Sequence, residues 1–491
     1  MQALREFLKR GCPPEGVSAL QTTASCEYGA VAAVLQVAQA LGLGRLLYSR
    51  REEWVCYALA MIVGRVVYQG SKLSLTHRWR DTRLWPLCGV EATPPDVDAV
   101  YAALDRLVAR QPAIQRELAR RHLGEGCVVL YDVTSSYFEG EHRGSTLVDF
   151  GHNRDGKRGH KQVVIGLLAD PRGCPVGVSV YRGNTSDQKT LADRVTELKE
   201  EYGLRDVVMV GDRGMLTSAR LAELSAAGLR SVTALTHPQM LQLLQRRVIQ
   251  PSRFDEREIA EIYDPETPAL RYLLCRNPVT AAQEGETRRA LLAKTREELQ
   301  RIAAGRRKSS DAAVGAAVGK VLAHWKMGKF IAWSVYEGRL AWQVDEARVS
   351  QEEALDGCYV IRTDVAAPEM DKNQAVACYR SLARVERAFR SLKTVRLEIR
   401  PVYHHLDRRI EAHVFLCMLA YYVEWHMRQR LAPLFAADEQ GKERRWTFAG
   451  VLERLQSIRE ETGVMQGHEV SWITTPDEEQ QQILDLLEVQ W

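Results

Sequence analysis

The sequence predicts an α/β protein: a mixed-sheet core interrupted by an α+β insertion domain, preceded by an all-α N-terminal domain and followed by a helical C-terminal region. Three observations predict this. Up to about Arg121, apolar residues recur at three-to-four spacing. From Cys127 the pattern becomes short runs of β-branched and aromatic residues bounded by glycine. Those runs then alternate with helical segments, as crossover connections require.

In chain order, residues 1–121 form the helical domain, with periodic stretches at Ala30 to Leu47, Trp54 to Val67 and Val97 to Leu118 and breaks such as Thr93-Pro94-Pro95. Lys72, Arg78, Arg80 and Arg83, set among Trp79 and Trp85, read either as a DNA face or as an ordinary solvated surface. The first part of the core, 122–249, opens with the strand CVVLYDVTSSYFEG, followed by KQVVIGLLAD and PVGVSVYRGN joined at Pro171-Arg172-Gly173 as a hairpin. A helix from Asp187 to Tyr202, the strand DVVMVGD, a helix over Thr217 to Ala227 and the strand SVTALT complete it. The order is an antiparallel meander extended by parallel crossovers.

Residues 250–356 read as an insertion: a charged helix (Glu284 to Arg307), a Gly/Ala-rich helix (Ser310 to Trp325) and a hairpin turning at Glu337-Gly338. The core resumes over 357–430 with the strand GCYVIRTD, one long helix from Asn373 to Lys393 and a helix over Arg408 to Leu431. The region 431–491 reads as helical, with a helix over Thr447 to Thr462 and a short one near Trp491; it is a candidate for dimerisation, as the N-terminal domain is for DNA-end binding.

Composition excludes a disordered chain, since 45% of the 491 residues are hydrophobic and 26% charged, and the length predicts two to four domains. A formal net charge of +4 is too small by itself to announce a nucleic-acid partner. No two of the ten cysteines have the spacing of a zinc clamp or redox pair, so they read as reduced, mostly buried thiols of a cytoplasmic protein. The N-terminus turns polar within ten residues, and the two most apolar stretches are broken by Arg65 and Glu424, so neither signal peptide nor membrane span is expected.

Asp132 is expected to end the strand Val128-Val129-Leu130-Tyr131-Asp132, and Asp212 to end the strand Val207-Val208-Met209-Val210-Gly211-Asp212. Acids at the C-terminal ends of neighbouring buried strands converge on the sheet edge where α/β folds place ligands. On a continuous helix, Tyr379, Leu382, Glu386, Phe389 or Arg390, and Lys393 share a face. Between Arg384 and Arg400 six Lys or Arg stand against two Glu, a local excess of +4. Three carboxylates suit a pair of Mg²⁺ ions, with Mn²⁺ as substitute, and the adjacent cations suit phosphates. This is the constellation of phosphodiester cleavage or exchange in a polynucleotide.

The motifs YDVTSSYFEG, KQVVIGLLAD with PVGVSVYRGNTSD, VMVGDRGM, Tyr379-x2-Leu382-x3-Glu386-x6-Lys393 and IRPVYHHLDRRIEAHVFLCMLAYYV resemble, in order and spacing, the Asp-Asp-Glu (DDE) transposases of bacterial insertion-sequence family four, in the subgroup with an R-P-V-Y-H segment. The resemblance covers roughly residues 125 to 430 and implies an RNase H-like core. It implies that Asp132, Asp212 and Glu386 are the catalytic, metal-binding triad, and that Tyr379 and Lys393 engage transposon-end phosphates. Leu382 stands where the family usually has Arg; Arg380, Arg384 and Arg390 are the residues left to replace it. The 174 residues between Asp212 and Glu386 match family members with an insertion there. In similar transposases that insertion helps form a DNA hairpin by stacking an extruded base on an aromatic residue, for which Trp325, Trp333 and Trp342 qualify. Read from its own residues, the loop 151–161, with Arg154, Lys157, Arg158 and Lys161 against Asp155 alone, is either a DNA-backbone contact or an ordinary glycine-rich surface loop.

The implied function is cut-and-paste transposition on terminal inverted repeats and target DNA, by a homodimer in the DNA complex. Two rivals were weighed. A haloacid-dehalogenase-like phosphatase shares the strand-then-Asp forms but needs further acids where Thr134 and Leu216 stand. A catalytically inactive DNA-binding descendant is disfavoured by the presence of all three acids.

Overall fold

The change of period at Cys127 is the start of a strand. In the computed structural model, residues 21–490 are described apart from 141, 143, 155, 158, 256–257, 306–309, 394–396, 401, 440–445 and 466–467. The chain divides into two units, Met1–Val210 with Ser218–Leu229 and Ser381–Trp491, and Gly211–Thr217 with Arg230–Arg380. In chain order the strands are β1 (Gln21–Glu27), β2 (Cys127–Tyr137), β3 (Gln162–Ala169), β4 (Pro175–Arg182), β5 (Val207–Val210), β6 (Arg230–Ala234), β7 (Ala260–Asp264), β8 (Thr267–Arg276), β9 (Ile331–Tyr336), β10 (Arg339–Val344), β11 (Cys358–Thr363), β12 (Arg459–Met465) and β13 (His468–Ile473).

In the first unit β4, β3 and β2 form the expected antiparallel meander, and β5 lies parallel to β2 in the register Cys127↔Val207 to Leu130↔Val210. Every residue of β3 is buried, as a continuous apolar run between two covered faces requires. The Asp170 carboxylate closes the β3–β4 turn, accepting the N–H groups of Arg172 at 2.9 Å and Cys174 at 2.8 Å. The helices Gln111–His122 and Asp407–Arg430 pack on β4. The second is apolar around most of its circumference and is buried from Ile410 to Met427 apart from Glu411 and His426. Around it pack Gly29–Ala40, Glu53–Val67 and Val97–Ala109. Gly29 has to be glycine, because a Cβ there would stand 2.4 Å from the Leu455 carbonyl oxygen and 2.6 Å from the Ile458 Cβ.

The all-α reading of the N-terminal region and the helical reading of the C-terminal region are both corrected by one sheet. β1 pairs antiparallel with β12 from Gln21↔Val464 to Glu27↔Arg459, and β12 pairs with β13. The helix expected to reach Thr462 covers Phe448–Gln456 only. Neither β1 nor β12 alternates cleanly in sequence; β1 is a strand through a partner more than 430 residues away, whereas β12 also has the neighbouring β13 beside it. Side chains reinforce the pairing: the Arg83 Nε donates to Glu460 at 2.7 Å and Arg459 Nη2 to the Ser25 carbonyl at 2.9 Å.

In the second unit β6, β11, β8 and β7 are hydrogen-bonded in that order, antiparallel throughout. The insertion read as 250–356 is therefore narrower, since β7 and β8 belong with β11. It leaves at Asn277 and returns at Gly357, where the Asn277 N–H donates to the Gly357 carbonyl at 2.8 Å. Gly357 has φ 68°, and a Cβ on it would lie 2.3 Å from the Asn277 oxygen. Between these points stand the helices Pro278–Ala303 and Asp311–Trp325, the hairpin β9–β10 and the helix Glu346–Glu353. Leu292, Leu299, Val314, Val318, Phe330 and Ile331 make a separate core for this segment. No described helix is long and apolar enough to cross a membrane.

Candidate active site

Asp132 and Asp212 adopt the same local posture. Leu130 and Val210 are the last residues paired between parallel β2 and β5, and each Asp lies two residues further along its chain. Asp132 Oδ1 accepts the N–H of Val133 at 2.8 Å, and Asp212 Oδ1 accepts that of Arg213 at 2.7 Å. A carboxylate that folds back onto the next backbone N–H has its rotamer set by the backbone. The expectation that Asp132 ends its strand is corrected: β2 runs on to Tyr137, with Asp132 opposite Leu167 of β3, because pairing with β3 continues after pairing with β5 stops. Asp132 is half-buried and Asp212 exposed. Asp212 also begins a turn whose carbonyl receives Met215 at 3.0 Å and Leu216 at 3.2 Å. Thr134 and Leu216, where a phosphatase needs acids, are buried at 6% and 2% exposure.

Glu386 is exposed in the first turn of the helix Ala383–Lys393, which packs on β2, the strand that carries Asp132. The helix buries Val385, Ala388, Phe389 and Leu392 and leaves Glu386, Arg387 and Arg390 outside. The following segment is fastened along β2: the Ser136 hydroxyl donates to the Ile399 carbonyl at 3.3 Å and the Val402 N–H to that of Tyr137 at 3.2 Å.

The single helix expected from Asn373 to Lys393 is two helices, Lys372–Arg380 in the second unit and Ala383–Lys393 in the first. Ser381 and Leu382 form the break, and the Leu382 carbonyl accepts the N–H of Val385 at 2.9 Å and of Glu386 at 3.2 Å. The shared face from Tyr379 to Lys393 is thus corrected: Leu382 and Phe389 point into the core while Glu386 points out. At 6% exposure Leu382 is a packing residue that caps the break, which accounts for an apolar side chain where the family usually has Arg. Tyr379 is half-buried, and Arg380 donates to the Tyr359 hydroxyl at 2.9 Å.

Among the remaining cations, Arg390 is exposed and Lys393 half-buried. Arg384 donates to the Pro171 carbonyl in the β3–β4 turn. Arg154 is tied to Asp187. Lys161 stands 5.8 Å over the exposed Phe150 ring and Lys157 5.8 Å over Tyr137. Arg158 lies outside the described residues. The N-terminal cluster is split: Arg78 and Arg80 are exposed, but Trp85 is buried, Arg83 is paired with Glu460, and Lys72, at 5% exposure, has its Nζ 2.6 Å from His413 Nδ1 and 3.2 Å from His404 Nε2. Burial pushes Lys72 down to about 7 and His404 down to about 3.

Of the three tryptophans, Trp325 and Trp342 pack against the insertion core, whereas Trp333 is 42% exposed. Trp333 is directly opposite Trp342 in the hairpin, and its ring tip would lie 3.7 Å from a Cβ on Gly315.

Within the first unit, a half-buried acid inside β2 and a cationic helix that carries an exposed acid and packs on that strand make a surface suited to divalent cations and phosphates. Residues 123–423 match the family model described as the transposase DDE domain, more than half of the chain, so the chain belongs to the DDE transposases. It is accordingly an enzyme of DNA transposition, and DNA is its substrate. DDE transposases generally use divalent metal ions. Among solved structures the chain is similar to a piggyBac transposase synaptic complex with hairpin DNA, determined by cryo-electron microscopy, at 8% identity over 89% of this chain and 82% of that one, with a TM-score of 0.38. No curated protein matches the chain.

Proposed function

We propose that this transposase is the cut-and-paste enzyme of an insertion sequence resembling family four, and that Asp132, Asp212 and Glu386 are its catalytic triad. The observation that carries the assignment is the matched posture of the two aspartates beyond the paired ends of β2 and β5, with the Glu386 helix docked on β2. An all-carboxylate donor set fits two Mg²⁺ ions, or Mn²⁺ in their place, and does not favour a thiophilic metal. Bound there, the ions supply a nucleophilic water at neutral pH and offset the charge on the scissile phosphate.

The protein's own part is positional. The Val133 and Arg213 amides hold one oxygen of each aspartate, so no rotamer search is needed when DNA arrives. Tyr379, Arg390 and Lys393 grip the transposon-end backbone, with Arg384, Arg158 and Lys161 extending the contact. Hydrolysis frees a 3′-OH at each element end; that hydroxyl attacks the opposite strand to give a hairpin and, after opening, attacks target DNA by in-line transesterification. Trp333, the exposed tryptophan of the insertion, receives the extruded base during hairpin formation. Two ends have to be held together, so the DNA-bound form is a homodimer, working in the cytoplasm on terminal inverted repeats.

The test is a nicking assay on end-labelled DNA carrying the inverted repeats that flank the reading frame. Loss of Mg²⁺-dependent cleavage in Asp132→Ala, Asp212→Ala and Glu386→Ala alike supports the triad. Wild-type activity in any one of them removes that residue from it.

A further inference from the structure

Far from the three acids in sequence, the first unit gathers a different donor set. His122 ends the helix Gln111–His122, Cys174 directly precedes β4, and His426 lies on the long helix Asp407–Arg430. One ligand atom from each lies within 4.8 Å of the others, with Cys174 Sγ 3.9 Å from His426 Nε2. Among the described residues this is the group of His, Cys, Asp and Glu side chains close enough to share a metal ion. Cys174 is fully buried, and the two imidazoles are partly shielded.

The surroundings orient the three ligands. The Tyr422 hydroxyl is 3.1 Å from His122 Nε2, and the Tyr422 and Trp425 rings meet His426 edge-on at 4.7 and 4.8 Å. The Asp170 carboxylate holds the Cys174 amide at 2.8 Å, which fixes the backbone that presents the thiol. Hydrogen bonds to groups around the ligands are what set ring orientation in metal sites. Neutral imidazole, the ordinary form above its usual value of about 6.5, is the form that coordinates.

We infer that His122, Cys174 and His426 form a structural site for a single thiophilic divalent cation, Zn²⁺ by chemistry, distinct from the catalytic ions. Two imidazoles and a thiolate prefer Zn²⁺ over Mg²⁺ or Mn²⁺, which take oxygen ligands. Zn–N bonds of about 2.0 Å and Zn–S bonds of about 2.3 Å require the three donors to contract by roughly 1 Å, with water in the fourth tetrahedral position. Binding replaces the S–H bond of Cys174 with an S–Zn bond and releases that proton to solvent, so affinity rises with pH. The ion joins positions 122, 174 and 426 and therefore clamps one helix, the β3–β4 turn and the central helix together. The same turn receives Arg384 on the Pro171 carbonyl, so the clamp also steadies the start of the Glu386 helix.

Cobalt distinguishes this site from the carboxylate site, because only a thiolate ligand gives a near-ultraviolet sulfur-to-Co²⁺ charge-transfer band. Chelator-stripped full-length protein is titrated with Co²⁺ and then with Zn²⁺. The expected result is a charge-transfer band saturating at one Co²⁺ per chain, displaced by Zn²⁺, retained in Asp132→Ala and absent in Cys174→Ser. His426→Gln is expected to weaken Zn²⁺ binding at least ~10-fold. Absence of the band in the wild type overturns the inference whatever the variants do, and so does its persistence in Cys174→Ser. Should Cys174→Ser fail to fold by circular dichroism, His426→Gln decides: unchanged Zn²⁺ affinity there overturns the site.

Discussion

Strand β3 and the hairpin β9–β10 are equally plain as strands, yet they sit in opposite environments. All eight residues of β3 are buried, whereas β10 alternates exposed and half-buried along its length and β9 is largely open. A covered sheet offers chemistry where its pairing changes: Asp132 lies inside β2, two residues beyond the end of its pairing with β5, and Asp212 two residues beyond the end of β5 itself. A one-sided hairpin can hold a large aromatic at its margin, as Trp333 does, without giving up its own core. In the proposed reading the difference is a division of labour: the buried sheet fixes the reacting groups, and the open hairpin meets the substrate.

The strongest way to break that comparison is to show that the acids hold the sheet together. Asp132→Ala is expected to lower DNA cleavage at least ~1000-fold, about 4 kcal/mol of transition-state stabilisation, while the melting temperature stays within a few degrees of wild type. A melting temperature that falls as far as the one for a core truncation would make Asp132 a structural residue. That reference is Ile165→Ala in β3, which leaves a cavity between two covered faces and is expected to cost about 2–5 kcal/mol in denaturant unfolding. Leu340→Ala in β10, only half-buried, is expected to cost clearly less than Ile165→Ala. Equal losses would erase the contrast between sheet and hairpin.

How much of this was legible in the sequence follows the same contrast. Strands β2, β3 and β5 are readable because burial demands apolar runs, and Asp132 and Asp212 stand out against them; the end of β2 is not, since the strand continues past Asp132 to Tyr137. The Glu337-Gly338 hairpin was readable from its turn, with Glu337 at φ 47° and Gly338 at φ 73°. The β1–β12–β13 sheet was not, because its strands are polar and without clean alternation, and β1 owes its conformation to a partner distant in the chain. The break at Leu382 was hidden since local spacing continues through it; only the burial of that side chain shows why the helix stops. Lys72 read as a surface cation, but its neighbours His404 and His413 lie more than 330 residues away. The His122, Cys174 and His426 group was invisible for the same reason, having no short-range spacing to detect.

The Lys72 cluster gives the first unit a pH response. Its amine and the His404 ring both have folded values below their ordinary ones. For a group depressed by folding, the unfolded chain binds more protons in the window between the two values, so stability rises with pH there. Stability is thus gained from about 7 to the ordinary lysine value through Lys72, and from about 3 to the ordinary histidine value through His404. The melting temperature of the wild type is expected to fall between pH 9 and pH 7, and Lys72→Met to flatten that slope. An unchanged slope in Lys72→Met would place the titration elsewhere.

Trp333→Ala sharpens the comparison from the hairpin side. Loss of one stacked base is worth about 1–3 kcal/mol, so hairpin formation is expected to fall roughly tenfold or more while the first nick is unaffected. Trp342→Ala should behave otherwise, destabilising the insertion because its ring packs on the core beneath. If both variants lose hairpin formation only through unfolding, the exposed position of Trp333 has no substrate role.

Arg390→Ala is the mildest change and separates grip from chemistry. Arg390 is exposed on the Glu386 helix, away from the buried face of Val385, Ala388, Phe389 and Leu392, so its removal leaves folding intact. A single phosphate contact contributes to affinity without regard to sequence or reaction step. The expected result is DNA binding weakened a few-fold at low salt, with the slope of log affinity against log salt reduced by about one. Nicking and hairpin formation should decline together at subsaturating DNA and recover together at saturation, unlike the step-selective loss in Trp333→Ala. Arg384→Ala is expected to do both, lowering stability because its guanidinium holds the Pro171 carbonyl and reducing the salt slope by less than Arg390→Ala because that engagement limits its reach to DNA.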